Sequence, residues 1–391
     1  MIPEYYEFIC PVKVLSGKKA LANLPFEMEN LGVKRALIVS DPGVAGAGLI
    51  KKVVEAFGES DCEAGVIFDK TPPDSGSTVV NEVAKLFLDN KCDCFIAVGG
   101  GSSIDTAKCA NMVIVTGTPD LMQFQGVDRL TQSLKPFIVI PTTAGTGSEV
   151  TSAAVIYDEA THTKLAFTSN HLFPDVAILD PKMTESLPPK ITAATGMDAL
   201  THAMEAYYCL AKNPVSDAYA IAAIRLIFKY LLTSTKKGND LEARLAMLNA
   251  SMLAGIAFSN SLVGVVHGIA HATGGVARVP HGVANSIYLP FGLENNFKKA
   301  GHIIAELVPF VGETSTGDVK KDAEVVVAAV RKLAQQLKEA SGLPTTLKEA
   351  GVTKDQLEDI AKACINDGSC TINPEDITYE VALDIAKKAF E

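Results

Sequence analysis

The sequence has no block of clustered Lys and Arg, and its formal net charge is -10. A nucleic-acid partner is therefore not expected, because phosphate-backbone binding needs such a block. It also lacks an uncharged apolar run approaching the roughly 18 residues of a membrane span. The N-terminal stretch MIPEYYEFICPVKV has no basic segment followed by an apolar one, so neither a signal peptide nor a membrane association is expected and the reading is cytoplasmic. Eight cysteines are scattered, with only Cys92 and Cys94 close and no CxxC pair. That spacing argues against a zinc ribbon or a disulfide framework and for free thiols in a reducing compartment. No fixed-period repeat or low-complexity tract occurs, which removes solenoids and disordered linkers.

What is present is an ordinary globular composition, 48% hydrophobic and 20% charged over 391 residues. That length exceeds what one core usually supports, so two domains are expected. The first half alternates short apolar, β-branched runs with helical stretches, the cadence of a parallel sheet with crossover helices. Residues 36–40, 65–68, 95–98 and 137–140 read as buried strands. Residues 49–57, 77–89 and 103–113 carry apolar side chains at three- and four-residue intervals and read as helices. Pro188-Pro189 then punctuates the chain, and helical periodicity dominates the remainder. The expected architecture is an α/β parallel-sheet domain over residues 1–188 and an all-α domain over 189–391. Helices are predicted over 192–210, 217–233, 241–259, much of the stretch after 263, 320–341 and 379–390.

Histidine is scarce, seven in the whole chain, yet His267, His271 and His281 fall within fifteen residues. Asp198 and His202 lie four apart in GMDALTHAMEAY, on one helical face, where carboxylate and imidazole converge without distorting the backbone. Taken singly, each is equally a satisfied core residue. Taken together, Asp198, His202, His267 and His281 form a candidate metal site with an open coordination position.

Two loops are suited to phosphate. The strand FIAV runs into Gly99-Gly100-Gly101-Ser102, where glycines admit a ligand to the backbone and the following helix offers free amides and a positive dipole end. The alternative is a tight turn that needs glycine dihedrals. The second loop, PTTAGTGSE from Pro141 to Glu149, is rich in hydroxyls and glycine. Both follow strand ends, where open α/β sheets bind ligands. Asp41, after ALIVS, is placed either to accept hydrogen bonds from an adenosine ribose, favouring NAD over NADP, or to act as a helix cap. A GxGxxG fingerprint is missing from that first strand-helix turn, so a standard Rossmann assignment has no support.

Four blocks, GGGSSIDTAK, PTTAGTGSEVT, ATGMDALTHAMEAY and VVHGIAHATGG with PHGVAN, resemble in this order the iron-containing alcohol dehydrogenase family over nearly the whole chain. The resemblance implies metal ligands at Asp198, His202, His267 and His281, an additional active-site histidine at His271, and nucleotide contacts at Gly100, Gly101, Ser102, Thr142, Thr143 and Thr146. It further implies a lysine beside the nicotinamide at Lys164 and an NAD-selecting acid at Asp41. Where many members read Pro-Asn-Pro, this chain has Pro73-Asp74-Ser75. Asp74 accepts hydrogen bonds but cannot donate as an amide would, and it enters as a further nucleotide-cleft candidate.

The implied activity is hydride transfer between NAD(H) and a small primary alcohol or diol and its aldehyde, with Fe2+ or Zn2+ as the ion and a homodimer or larger assembly. Glycerol dehydrogenase-like polyol oxidation and a dehydroquinate synthase-like lyase are the alternatives. Small residues and the absence of tryptophan are compatible with short aliphatic substrates. His271 either relays a proton or shapes the pocket.

Overall fold

The structure is a computed structural model that describes residues 3–158 and 163–391. It divides into two compact units, one of Cys10–Ser186 and one of Leu187–Glu391 together with the segment up to Ile9.

The first unit holds six parallel strands, β1 (Lys13–Ser16), β2 (Arg35–Val39), β3 (Glu63–Phe68), β4 (Cys94–Gly99), β6 (Phe137–Pro141) and β9 (Val176–Leu179), in the order β1-β9-β6-β4-β2-β3. The two-residue β5 (Gly126–Val127) joins β8 (Thr163–Thr168) and β7 (Ala153–Asp158) in a small second sheet, with β7 and β8 antiparallel. Helices α1 (Leu24–Asn30), α2 (Pro42–Gly46), α3 (Leu49–Ala56), α4 (Ser77–Asp89) and α5 (Gly101–Thr116) belong to this unit. Alternation along the strands separates two cores. Leu37, Val39, Phe95, Ala97, Phe137 and Val139 join one with Val80, Val83 and Ile104, while Ala36, Ile38, Ile96, Val98, Ile138 and Ile140 join the other with Met28 and Val53. A sheet covered on both faces needs apolar residues at odd and even positions alike, which is why these strands read as continuous hydrophobic runs.

The second unit is helical among the described residues: α6 (Pro189–Tyr208), α7 (Pro214–Lys236), α8 (Leu241–Ser259), α9 (Val265–Ala277), α10 (His281–Asn295), α11 (Phe297–Ala305), α12 (Val319–Ser341), α13 (Gln356–Cys364) and α14 (Tyr379–Lys388), with short 3-10 turns between. Helix α6 is its axis. It packs against α7, α8 and α10 and is buried from Met197 through Tyr208 on every face, as a helix without an amphipathic stripe must be. Helix α8 is long and apolar enough to cross a membrane, but it packs on α6 and α7. Its buried Arg244 donates to Gly238 O, Thr192 Oγ1 and Leu187 O, the behaviour of a core helix.

The N-terminal segment departs from the sequence reading. Ile9 N–H donates to Asn260 Oδ1 at 2.7 Å, Asn260 Nδ2 returns a bond to Ile9 O at 3.0 Å, and Phe8 stacks on Tyr219. These contacts tie it to the helical unit rather than to the sheet.

Candidate active site

Asp41, the Gly100–Ser102 loop and the Thr142–Thr146 loop follow the carboxyl ends of three adjacent strands, β2, β4 and β6. The chain leaves β2 toward β3 on one side and returns to β4 on the other, so Asp41 and Gly100 flank a topological switch point, where such sheets bind ligands. Thr142 N–H donates to Gly99 O at 3.0 Å. A Cβ on Gly100 would lie 3.2 Å from Thr143 Oγ1, and one on Gly101 3.0 Å from Thr146 Cγ2. The two loops pack closely, and a side chain at either glycine would press on the threonine opposite it. No side chain of the cap residue Gly100 closes the N-terminus of α5, leaving its first amides and dipole for an anion.

Asp41 performs the structural role: its Oδ1 caps α2 through Gly43 N–H at 2.9 Å and Val44 N–H at 3.0 Å, while Ser103 Oγ lies 3.4 Å from Oδ2. Asp74 is exposed with φ 51, a left-handed turn position that Asp tolerates better than most residues. Lys164 lies in β8, paired with Tyr157, and its side chain falls outside the described residues.

Sequence reading missed the anchor of the second loop. Lys108, one turn beyond Asp105 on α5, is fully buried. Its Nζ donates to Ser148 O at 2.9 Å, Thr151 O at 2.8 Å and Ala153 O at 2.8 Å. Asp105 receives Ser148 Oγ at 2.7 Å and Val155 N–H at 3.0 Å. Burial pulls the Lys108 ammonium down to about 8 and pushes the Glu149 carboxyl up to about 7. One helix thus offers its N-terminus to a ligand and fixes the neighbouring loop.

In the helical unit, one ligand atom from each of Asp198, His202, His267 and His281 lies within 4.8 Å of the others. Asp198 and His202 come from α6, His267 from the first turn of α9 and His281 from the first residue of α10. Gly282 makes this approach possible, since a Cβ there would stand 2.6 Å from Ala194 O. His202 stacks on Phe258 with centroids 4.3 Å apart.

The donor set fits a divalent ion. Asn285, one turn beyond His281, places Nδ2 2.7 Å from Asp198 Oδ1, 3.2 Å from His267 Nε2 and 3.1 Å from His281 Nε2. Three ligand atoms therefore crowd one amide nitrogen that has only two hydrogens to give, and Asn285 Oδ1 is buried without a partner. A cation bonded at about 2 Å satisfies such convergent donors better. Burial, then the neighbouring imidazoles, hold His267 well below its ordinary pKa, so it is neutral and able to ligate.

Glu205 orients His267. It follows Asp198 and His202 at seven and three residues on the same face of α6 and is wholly buried. Its Oε2 lies 2.5 Å from His267 Nδ1, and it accepts Val266 N–H at 2.8 Å, His267 N–H at 3.2 Å and the Tyr208 hydroxyl at 3.1 Å. A carboxylate from α6 thus caps α9, fixes the proton on Nδ1 and leaves Nε2 for the ion. Burial raises its carboxyl to about 7 against those hydrogen bonds. The signal available in sequence was the 198, 202, 205 spacing, which continues the helical face by one more turn.

His271 stands outside the four-atom cluster. Its ring stacks on His281 with centroids 5.1 Å apart and is 41% exposed, and its Nδ1 lies 2.8 Å from Asp367 Oδ2. Burial acts to raise Asp367, but its bonds to His271 and Ser369 outweigh this and hold the carboxyl at about 2.

This arrangement accompanies matches over almost the whole length. A family model described as iron-containing alcohol dehydrogenase covers residues 11–181, and one described as Fe-containing alcohol dehydrogenase family, C-terminal, covers residues 192–390. The chain belongs to the iron-containing alcohol dehydrogenase family. It is 37% identical to the NAD-dependent methanol dehydrogenase of Bacillus methanolicus, over 98% of this chain and 99% of that one. It is 36% identical to the 1,3-propanediol dehydrogenase of Klebsiella pneumoniae, over 98% and 99%. A crystal structure of a 1,3-propanediol oxidoreductase superposes with a TM-score of 0.95 at 36% identity, covering 99% of this chain and 100% of that one.

Proposed function

We propose that this family member interconverts a small primary alcohol or diol and its aldehyde, with NAD(H) as hydride carrier and Fe2+ held by Asp198, His202, His267 and His281. The observation that carries this reading is the convergence of those four ligand atoms, with the Asn285 amide directed at three of them. A divalent ion there supplies Lewis-acid polarisation of the substrate oxygen, and the nicotinamide gives or takes the hydride.

The protein's own groups do the rest. Glu205 holds His267 in the ligating tautomer. The α5 N-terminus and the Gly100–Thr143 and Gly101–Thr146 packing provide a rigid anion cradle for the dinucleotide. His271, with Nδ1 engaged by Asp367 and its ring half exposed, presents Nε2 to move a proton between substrate and water. Replacement by alanine is expected to lower turnover by roughly a hundredfold while elemental analysis finds the same metal content. Loss of the ion would instead make His271 a ligand.

The lyase alternative needs a cationic pocket for a phosphorylated substrate. The candidate, Arg278, is exposed and closes α9 at φ 56. Accumulation of NADH during alcohol turnover distinguishes the two. Scattered free thiols support a cytoplasmic setting, and a homo-oligomer is proposed from the family likeness.

The test is a rate panel of methanol, ethanol, butanol, 1,2- and 1,3-propanediol and glycerol with NAD and NADP, on iron- and zinc-loaded protein, repeated with Asp41→Asn. Asparagine caps helices as well as aspartate, so α2 stays in place while the charge facing a 2'-phosphate disappears. NADP use should rise several-fold, consistent with a like-charge repulsion of about 1 kcal/mol in a water-like dielectric. An unchanged NADP rate would leave Asp41 as a cap alone.

A further inference from the structure

Cys364 and Cys370 are unused by the reaction and stand beside it. Cys364 ends α13 and is fully buried, while Cys370 lies in the 3-10 turn Gly368–Ile372 and is half-buried. Their sulfurs are 3.6 Å apart. The five residues between them contain Asp367, the partner of His271. The turn is tightly bonded, with Asp367 N–H to Cys364 O at 3.0 Å, Cys370 N–H to Asp367 O at 3.1 Å and Cys370 Sγ to Cys364 O at 3.2 Å. Both sulfurs lie against α9 at Gly268, between His267 and His271. A Cβ on Gly268 would stand 2.7 Å from Cys370 Sγ, so a larger residue there would push the Cys370 side chain aside.

We propose that Cys364 and Cys370 are a reversible disulfide site for a hydroperoxide oxidant, and that closing the bond displaces Asp367 from His271. The effect on turnover rests on the functional reading above; the thiol chemistry does not. Cys370, the less buried thiol, attacks the terminal peroxide oxygen as its thiolate, breaking the O–O bond and releasing hydroxide, or alkoxide from an organic hydroperoxide, to give a sulfenic acid. The Cys364 sulfur then displaces that hydroxyl, which leaves as water with the Cys364 proton. Two thiols lose two electrons, and the peroxide is reduced by two. The sulfurs must approach by about 1.5 Å to reach bonding distance. The bond from Cys370 Sγ to Cys364 O goes with the thiol proton. The turn carrying Asp367 takes up the contraction.

The experiment uses zinc-loaded protein, because zinc has no redox chemistry of its own. After hydrogen peroxide treatment and thiol alkylation, the tryptic peptide 363–387, which contains both cysteines, is weighed and alcohol turnover is measured. The expected peptide lacks two hydrogens and carries no alkyl group. Turnover falls roughly tenfold, a fraction of the general acid–base contribution of a histidine, and dithiothreitol restores both the two alkylation sites and turnover. Cys370→Ser should show neither response while keeping its basal rate. Full alkylation of both cysteines after peroxide, or an oxygen on Cys370 with Cys364 still alkylated, overturns the disulfide. A disulfide that leaves turnover of an active enzyme unchanged overturns the coupling to Asp367. Protein that oxidises no alcohol but still forms the bond would count against the dehydrogenase reading and not against the thiol site.

Discussion

Asp198→Asn is expected to remove alcohol turnover by roughly a thousandfold, equivalent to about 4 kcal/mol of lost transition-state stabilisation, while the protein stays folded. Asp198 is the one formal charge among the four candidate ligands and is buried. Asparagine keeps its volume on α6 and still offers an oxygen to Asn285, which now donates to Asp198 Oδ1 at 2.7 Å. The variant loses the charge that completes a site otherwise made of neutral imidazoles. Because asparagine keeps the Asn285 bond and removes a buried charge, the metal-free protein should not be destabilised. The contrast is in the response to metal: at a hundredfold excess over its dissociation constant an ion stabilises the wild type by about 2.7 kcal/mol, and the variant should show no shift. Thermal unfolding with and without added Fe2+ or Zn2+, beside a turnover assay, checks both. An active variant that still binds the ion would remove Asp198 from the ligand set.

Glu205→Gln should be nearly as severe, although Glu205 touches no substrate. Both carboxylate oxygens now accept backbone N–H groups, from Val266 and His267, and Oε2 also takes the His267 ring proton. Glutamine has one accepting oxygen, so its NH2 must face a donor, leaving one or two buried N–H groups unsatisfied at about 1–3 kcal/mol each. Where that NH2 meets His267 Nδ1, the ring turns to the other tautomer and puts its proton on Nε2, the atom that faces Asn285 and the ligand cluster. Metal affinity should fall 10–100-fold, as is usual for loss of an outer partner of a ligating histidine, and the midpoint of thermal unfolding should drop. Titration of metal-free protein with Zn2+ measures the first effect and calorimetry the second. Wild-type affinity in the variant would show that Glu205 only caps α9.

The parts of this molecule that sequence reveals are those where neighbours in the chain are neighbours in space. Strands β2, β4 and β6 are legible because a doubly covered sheet demands unbroken apolar runs. Asp198 and His202 are legible because four residues make one helical turn. β1 and β9 are not, being four residues each, too short for a periodicity to show. The β7–β8 pair interrupts the strand-helix cadence and went unread for that reason. Asp367 and Asn285 have meaning only through partners 96 and 87 residues away, His271 and Asp198. Lys108 looks like an ordinary helical lysine until the loop it holds, about 40 residues on, is folded over it. Asp41 shows the opposite case, a residue whose cap role is local and plain while its selectivity role depends on a ligand.

The central claim is that catalysis requires one divalent ion on Asp198, His202, His267 and His281. It is tested most directly by stripping the protein with a chelator under anaerobic conditions, verifying metal-free protein by elemental analysis, and following NADH formation from an alcohol during stepwise addition of Fe2+. Activity should be absent at the start and rise linearly to a plateau at one ion per chain. Full turnover by the metal-free protein would contradict the account.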